Sequence, residues 1–539
     1  MPFGEFGAIE KGEGSKYMKV LLLVPYTTMY PGDNSIPTKT CLLGVGYIAS
    51  SLEKQGHSVR VIDAYPDSRY MHTLANGAIR YGMPDEEIIA SIREYCPDII
   101  GISCMYTAYA IDAHHIANLC KDAFKDIPIV MGGSHVSQFP DLVMHDLKVD
   151  IAVIGEGEET IAEIINSFEK GIYPLNVSGT IIRNNGKIVT NPTRQFIENL
   201  DSLPFPAWHL FNMDAIIKTS KESKFFMRQP ALPILTSRGC PGKCYFCQAR
   251  LIWKKWRMRS PTNVADEIEY LMNKYGAREI HLMDDNASAS RKRFHDICDE
   301  IIKRKLDIKW TCLSGIPHWS LDEELLDKMK EAGCYRLTFG IESGDPETRK
   351  VISKSYPLEQ AKSVIKHANY IGMWTMSTFI VGFPHETQKN INTTIDFACS
   401  SGLDMAVFYA FMPLPGTEAY RIMKEDSLVA YDKYLDPSMF YSEEALGVIA
   451  RAYHQGTTTR QFSSDQILQF ISSAYTKFFI CSMVAFLNPL RLLRKIHSFE
   501  DLRYAAKIGS SLAQMLFRRI RFKQFNMQML RWDKKNEKK

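Results

Sequence analysis

LPILTSRGCPGKCYFC, residues 232–247, places three thiols on one short loop directly behind an apolar, strand-like run. Three residues separate Cys240 from Cys244, and two separate Cys244 from Cys247. Thiolates gathered so closely suit a soft metal site. A structural zinc ion or a complete four-cysteine cluster wants a fourth nearby ligand, and none of the later cysteines lies close in sequence. In an iron–sulfur cluster held by these three, one iron would stay open to a small molecule.

The run leading into this loop is the first of a series. REIHLMDDN, KWTCLSGI, YRLTFGIESG, WTMSTFIVGFP and MAVFYAFMPLPGT follow, with helical stretches between most of them. About six strand–helix units predict a partial, parallel (β/α)6 barrel whose chemistry sits at the carboxyl ends of its strands. Its expected bounds are residues 227–425. Beyond Tyr420 the strand pattern stops, and residues 426–539 read as a mainly helical C-terminal region with a basic tail. The apolar run FFICSMVAFL, ten residues long, is too short to span a bilayer. With LRLLRK and FRRIRFK nearby, two readings stand: a packed helical cap with a solvated tail, or an amphipathic surface in peripheral contact with an anionic membrane.

Ahead of the barrel, MKVLLLVPY and HSVRVIDAY read as strands around the helix LLGVGYIASSLEKQG, and DIIGISCM, IPIVMGG and DIAVIGEGEET continue the alternation. Short apolar strands alternating with amphipathic helices predict a parallel sheet covered on both faces, so residues 18–168 read as a doubly wound, Rossmann-like α/β domain. Such a sheet binds ligands beyond the carboxyl ends of its strands, where Gly132, Gly133, Gly155 and Gly157 collect. No G-x-G-x-x-G follows the first strand, which argues against a nicotinamide site. Residues 169–226 read as a connector: SGTIIRNNGKIVT has the Asn-Gly of a tight hairpin, and LPFPAW favours extended backbone.

Bulk properties bound these readings. Of 539 residues, 45% are hydrophobic and 23% charged, ordinary values for globular domains and not those of a disordered or many-span membrane chain. The formal charge is +4, but residues 491–539 hold fourteen Lys/Arg against four Asp/Glu, so the basic character belongs to the tail. No nucleic-acid-binding module accompanies it, and no nucleic-acid partner is expected. Residues 1–17 lack the basic-then-apolar order of a secretory signal and predict a disordered leader and a cytoplasmic protein. Twelve cysteines in such a chain are expected as reduced thiols, with Cys104, Cys120, Cys298 and Cys312 as small buried residues.

C-x3-C-x2-C with an aromatic, Phe246, just before the third cysteine resembles the signature of the radical S-adenosylmethionine superfamily. The resemblance implies that Cys240, Cys244 and Cys247 hold a [4Fe–4S] cluster whose open iron chelates S-adenosylmethionine. An external one-electron reductant such as flavodoxin or ferredoxin would charge it, and a 5′-deoxyadenosyl radical would start the chemistry. Asp284 in HLMDDN, Glu342 and Ser343 in FGIESGDPETRKVISK, and Ile380 and Gly382 in FIVGFPHET stand where that family meets S-adenosylmethionine. A doubly wound domain directly ahead of such a barrel resembles the cobalamin-binding subclass, which includes relatives of the anaerobic magnesium-protoporphyrin cyclase. By that likeness Ser103 lies near the cofactor's nucleotide tail. Gly132, Gly133 and the turn Gly155-Glu156-Gly157-Glu158 let the tail pass close to backbone, and the helix behind GEGEET favours its phosphate.

One departure is plain: the Asp-x-His-x-x-Gly that gives cobalt a histidine in many cobalamin domains is missing from PYTTMYPGDNSIPTKT. Asp112 and His114 read as a solvent-facing helical pair and His57 as structural, so the resemblance implies a cobalt with no histidine below it. The expected activity is methylation of an unactivated carbon of an organic substrate from methylcobalamin. A cyclase or rearrangement enzyme with the same cofactors is the near alternative, and a non-catalytic cobalamin or redox sensor the distant one.

Overall fold

The computed structural model describes residues 17–29, 43–65, 70–74, 77–222, 225–442, 445, 447–449, 452–453 and 456–510. The expected leader, most of the loop after Val24 and the end of the basic tail lie outside these residues.

The first sheet contains β1 (Lys19–Val24), β2 (Ser58–Asp63), β3 (Ile99–Ser103), β4 (Ile129–Gly132), β5 (Ile151–Val153), β6 (Thr180–Asn184) and β7 (Lys187–Thr190). Their order is β7-β6-β5-β4-β3-β1-β2. β1 to β5 are parallel, and the chain reverses its direction of progress beside β1, the kind of switch point where such sheets open a ligand crevice. β1 is an interior strand covered on both faces, which is why KVLLLV is a continuous apolar run rather than an alternating one. The hairpin expected in the connector instead completes this sheet. β6 pairs antiparallel with β5 and β7 with β6, and Asn185 and Gly186 turn between them at φ of 49° and 77°.

The second sheet has six parallel strands in sequence order: β8 (Ala231–Ile234), β9 (Glu279–Leu282), β10 (Lys309–Cys312), β11 (Cys334–Glu342), β12 (Trp374–Val381) and β13 (Met405–Ala410). Helices cover its outer face, as the sequence predicts for a partial barrel. Past β8 the two-residue strands Ser237–Arg238 and Arg257–Met258 pair antiparallel and enclose the cysteine loop. After β13 the described chain is helical, and Ser464–Phe486 lies along β13 and the helix Gln388–Ser400, with Tyr475 and Phe478 packed on Phe408. The helix is 23 residues long, far more than its apolar run alone, and by length and composition it could cross a membrane. It does not stand free: Ile467, Ala474, Phe478 and Ser482 are buried against the barrel.

The structure corrects the reading of Asp112 and His114 as solvent-facing. Both are buried. The Asp112 carboxylate accepts the backbone N–H and hydroxyl of Thr28 at 2.8 and 2.6 Å, and His114 Nδ1 meets Asp146 at 2.8 Å. A helix facing a sheet must bury one stripe, and here the polar pair supplies part of it. His57, buried beside Met18 N and Glu169, is structural as expected, and Cys104, Cys120, Cys298 and Cys312 are buried.

Candidate functional site

Two sheets present their carboxyl edges to each other, and the cysteine loop hangs between them from the end of β8. Gly242 marks the point where the thiols approach: a Cβ there would meet Cys240 Sγ at 3.2 Å and Cys244 Sγ at 3.9 Å. Cys240 and Cys244 are half-buried, and Cys247 is exposed. Among the described residues no three His, Cys, Asp or Glu side chains converge on a single-ion position, as a zinc site would require. In a cluster each of the three thiolates would bind a different iron rather than share one ion. Burial raises the Cys244 thiol above the ordinary cysteine value while the Lys354 ammonium pulls it down.

Beside the thiols lies an open acceptor. Asn286, two residues beyond Asp284, donates through Nδ2 to Cys240 Sγ at 3.7 Å, and its buried Oδ1 has no partner. Across the site the β11 backbone departs from its ladder between Gly340 and Glu342, and Glu342 takes a φ of 64°. A non-glycine residue pays roughly 1–3 kcal/mol for such backbone and holds it only where the surroundings enforce it. The bulge re-aims the carboxylate. Its Oε1 receives Lys354 Nζ at 2.8 Å and its Oε2 the Thr378 hydroxyl at 3.2 Å. Burial works against the Lys354 charge, yet Glu342 and the nearby Cys244 hold its pKa above the ordinary lysine value.

Phe246 packs on Phe383 at 5.6 Å between ring centroids and, with Tyr245, forms an apolar wall beside the loop. Ile380 joins that wall. Gly382 has a φ of 97°, and a Cβ there would meet Ile467 at 2.8 Å. Its N–H donates to Glu386, whose carboxyl burial pushes up to about 7 although Gly382 and Phe383 hydrogen-bond to it.

Several expected contacts turn inward instead. Asp284 is buried and accepts from Thr236 N, the Thr236 hydroxyl and the Ser237 hydroxyl, so its side chain ties β9 to the strand end that carries the cysteines. Ser343 is fully enclosed, bonded to Thr394 and to Asp345 N. The carboxylates of Glu156 and Glu158 pair with arginines. Glu156 meets Arg238 at 2.6 Å and Arg257 at 2.8 Å, and Glu158 meets Arg238 at 2.6 Å, all four side chains being buried. Burial works against the Arg238 charge, but Glu158 and Glu156 outweigh it and hold the guanidinium more firmly protonated than a free one. Glu158 and Glu159 also fill the first turn of the helix Glu158–Glu169, so that end offers negative side chains where a phosphate was expected.

The glycines divide. Gly133 has a φ of 127° and a Cβ there would strike Cys104 O at 2.4 Å, while at Gly157 it would press on Ile48 at 2.9 Å. Both have packing reasons of their own. Gly155, at φ of 80°, would bring a Cβ no nearer than 3.9 Å to anything, and Ser103 and Gly132 are neighbours in register at the strand ends. All three lie at or just past the carboxyl ends of the strands, where the Gly155 N–H donates to Ser137 Oγ and the Gly132 carbonyl accepts from Cys104 N. Lys354 was not foreseen: it lies twelve residues past Glu342, and no pattern in the sequence joins the two. Arg238 carried a signal in retrospect, a lone cation at an apolar strand end two residues before Cys240.

A model of the radical SAM superfamily matches residues 234–398, and a model of the B12 binding domain matches residues 34–165. Cytidylyl-2-hydroxyethylphosphonate methyltransferase of Streptomyces wedmorensis is 31% identical over 446 residues, 77% of this chain and 83% of the relative. The chain belongs to the cobalamin-binding radical S-adenosylmethionine enzymes. An uncharacterized methyltransferase of Pyrococcus horikoshii is equally similar, at 31% over 86% of this enzyme and 93% of the relative. The anaerobic magnesium-protoporphyrin IX monomethyl ester cyclase of Rubrivivax gelatinosus is 26% identical over 77% of this enzyme and 72% of its own length. In fold the enzyme resembles two solved structures. The radical S-adenosylmethionine methyltransferase TsrM from Kitasatospora setae has a TM-score of 0.61 at 19% identity, covering 76% of this chain and 78% of that one. The cobalamin-dependent enzyme OxsB has a TM-score of 0.65 at 17% identity, covering 92% and 71%. The cofactors of this radical S-adenosylmethionine enzyme are therefore a [4Fe–4S] cluster, S-adenosylmethionine and cobalamin.

Proposed function

We propose that the enzyme methylates an unactivated carbon of an organic substrate lying between the cysteine loop and the carboxyl edge of the first sheet. The observation that carries this reading is the buried link from Arg238, two residues ahead of Cys240, to Glu156 and Glu158 on the first sheet's last parallel turn. This link ties the start of the cysteine loop to the carboxyl edge of the first sheet, which supports two cofactors working on one substrate. When bound, the cluster and S-adenosylmethionine supply a hydrogen-abstracting adenosyl radical, and cobalamin supplies the methyl group.

The chain's own residues position and shield. Cys240, Cys244 and Cys247 hold the cluster. The Asn286 amide, and Glu342 braced by Lys354, offer acceptors of the kind that meet the amino group of S-adenosylmethionine, and Ile380 and Gly382 flank its adenine. Phe246, Phe383 and Tyr245 exclude water beside the loop, which preserves a radical from quenching. Ser103, Gly132 and Gly155 give cobalamin its backbone contact. A one-electron reductant such as flavodoxin or ferredoxin completes the system.

Incubating the anaerobically reconstituted enzyme with methyl-labelled S-adenosylmethionine and candidate substrates tests the reading by product mass. A gain of one labelled methylene supports methyl transfer. An unlabelled cyclised or rearranged product would replace it with the near alternative. Absence of any 5′-deoxyadenosine under reducing conditions would turn the reading toward a sensor.

A further inference from the structure

Large apolar side chains are exposed unevenly on this molecule. Among the described residues, eight of the 21 exposed ones fall between residues 480 and 502: Ile480, Met483, Val484, Leu487, Leu490, Leu493, Phe499 and Leu502. The first four follow the spacing i, i+3, i+4, i+7 over the last turns of Ser464–Phe486 and its C-cap Leu487, which makes one helical stripe. Leu490 and Leu493 repeat the i, i+3 step in Pro489–Leu493, as do Phe499 and Leu502 in the helical residues 499–510.

The face is built rather than frayed. Arg491 and Lys495 both reach the buried Asp404 at 2.8 Å, and Phe486 packs against Trp374 at the start of β12. A Cβ on Gly372 would strike Arg494 O at 2.0 Å, so this helical corner is pressed onto the barrel. Asp404, Trp374 and Gly372 all lie where strands begin. The apolar face is thus at the base of the barrel, opposite the cysteine loop.

Charge says what covers it. Arg494 and Arg503 are exposed beside the face. The sequence from 511 to 539 then adds nine Lys/Arg against two Asp/Glu. A two-fold contact with a second copy would set this positive charge against itself, whereas an anionic bilayer offers both an apolar boundary and the opposite sign. The helix Ser464–Phe486 is not a span in this arrangement, because leaving the barrel would expose Ile467, Ala474 and Phe478. We infer that the face formed by residues 480–502 docks on an anionic lipid surface, inserting its leucines, with the exposed Arg494 and Arg503 beside it drawn to lipid phosphates. The attachment is peripheral and turns the mouth of the site toward the aqueous phase, so it fixes where the enzyme works and does not feed the site through the barrel base.

Flotation of the full-length holoenzyme with vesicles tests this. The wild type is expected to float with phosphatidylcholine vesicles containing phosphatidylglycerol, to stay behind with phosphatidylcholine alone, and to be released by rising salt. The double variant Leu487→Glu/Leu490→Glu, at two freely exposed positions, should float at least about tenfold less, since two side chains lose their burial in the bilayer. Its cleavage of S-adenosylmethionine to 5′-deoxyadenosine should match the wild type, which shows that it folds. Equal flotation of wild type and variant, equal flotation with and without phosphatidylglycerol, or no flotation of the wild type would each overturn the inference. So would a vesicle-free dimer that the double variant dissolves, which would assign the face to a second copy.

Discussion

At Glu342 a strained backbone and a supported side chain occur together, with Lys354 and Thr378 on its two oxygens. Lys354→Met leaves that carboxylate buried without its cation. S-adenosylmethionine affinity, measured by equilibrium dialysis on cluster-loaded enzyme, should fall by roughly tenfold, the loss of about one charge-assisted hydrogen bond. Asp112 gives a prediction about pH. Burial, opposed by the Thr28 hydrogen bonds, raises its carboxyl from 3.8 to about 6. Between those values the folded protein keeps a proton that the unfolded chain has lost. Stability from this group is therefore present below about pH 4 and fades as pH rises toward 6, by about 3 kcal/mol. Urea midpoints across that range should show less of this decline in Asp112→Asn. Charged residues at strand ends were visible in the sequence as site candidates, but Asp284, Glu156 and Glu158 find partners inside the protein. Those of the two glutamates come from 80 to 101 residues away, and one chain does not announce such a pairing.

The cysteine loop is the element on which the proposed radical initiation rests, and its three-and-two spacing was legible because the proposed ligands are local. Changing Cys240, Cys244 or Cys247 to Ala should abolish 5′-deoxyadenosine formation. Bound cobalamin, followed by its visible absorbance, should stay within about twofold of wild type, because the proposed cobalamin contacts belong to another element. The hairpin β6–β7 was equally legible from its Asn-Gly turn, yet not its place: a short hairpin names its own register but not the sheet it extends. The helix Ser464–Phe486 was undersized in the sequence reading because its N-terminal half is polar on the outside and begins at a Ser463 capping box rather than at the apolar run.

Across the whole molecule, the two sheets were predictable from strand–helix alternation, and the order β8 to β13 follows the chain without a crossing. What joins them was not. Arg238, Arg257, Glu156 and Glu158 form a buried, neutral set of four between the sheets. Glu158→Gln removes one charge and leaves an uncompensated cation inside, at a cost of about 3–5 kcal/mol. Denaturant midpoints should record that loss. If the clamp aligns the two cofactors as proposed, the variant should also form more 5′-deoxyadenosine per methylated product than the wild type. An unchanged ratio alongside a lowered midpoint would reduce the clamp to a purely structural joint.

The same clamp bears on the order in which the protein is made. Arg238 and Arg257 stand directly opposite each other in their small antiparallel pair, an arrangement of like charges that repels itself. Glu156 and Glu158 leave the ribosome about eighty residues before Arg238 does. The first sheet can thus be waiting, already folded, when the arginines emerge, and the barrel's opening turn closes against a finished neighbour. Translation from the amino end supplies the counter-charges first, and a circular permutation that began at the barrel would reverse that sequence and should slow maturation.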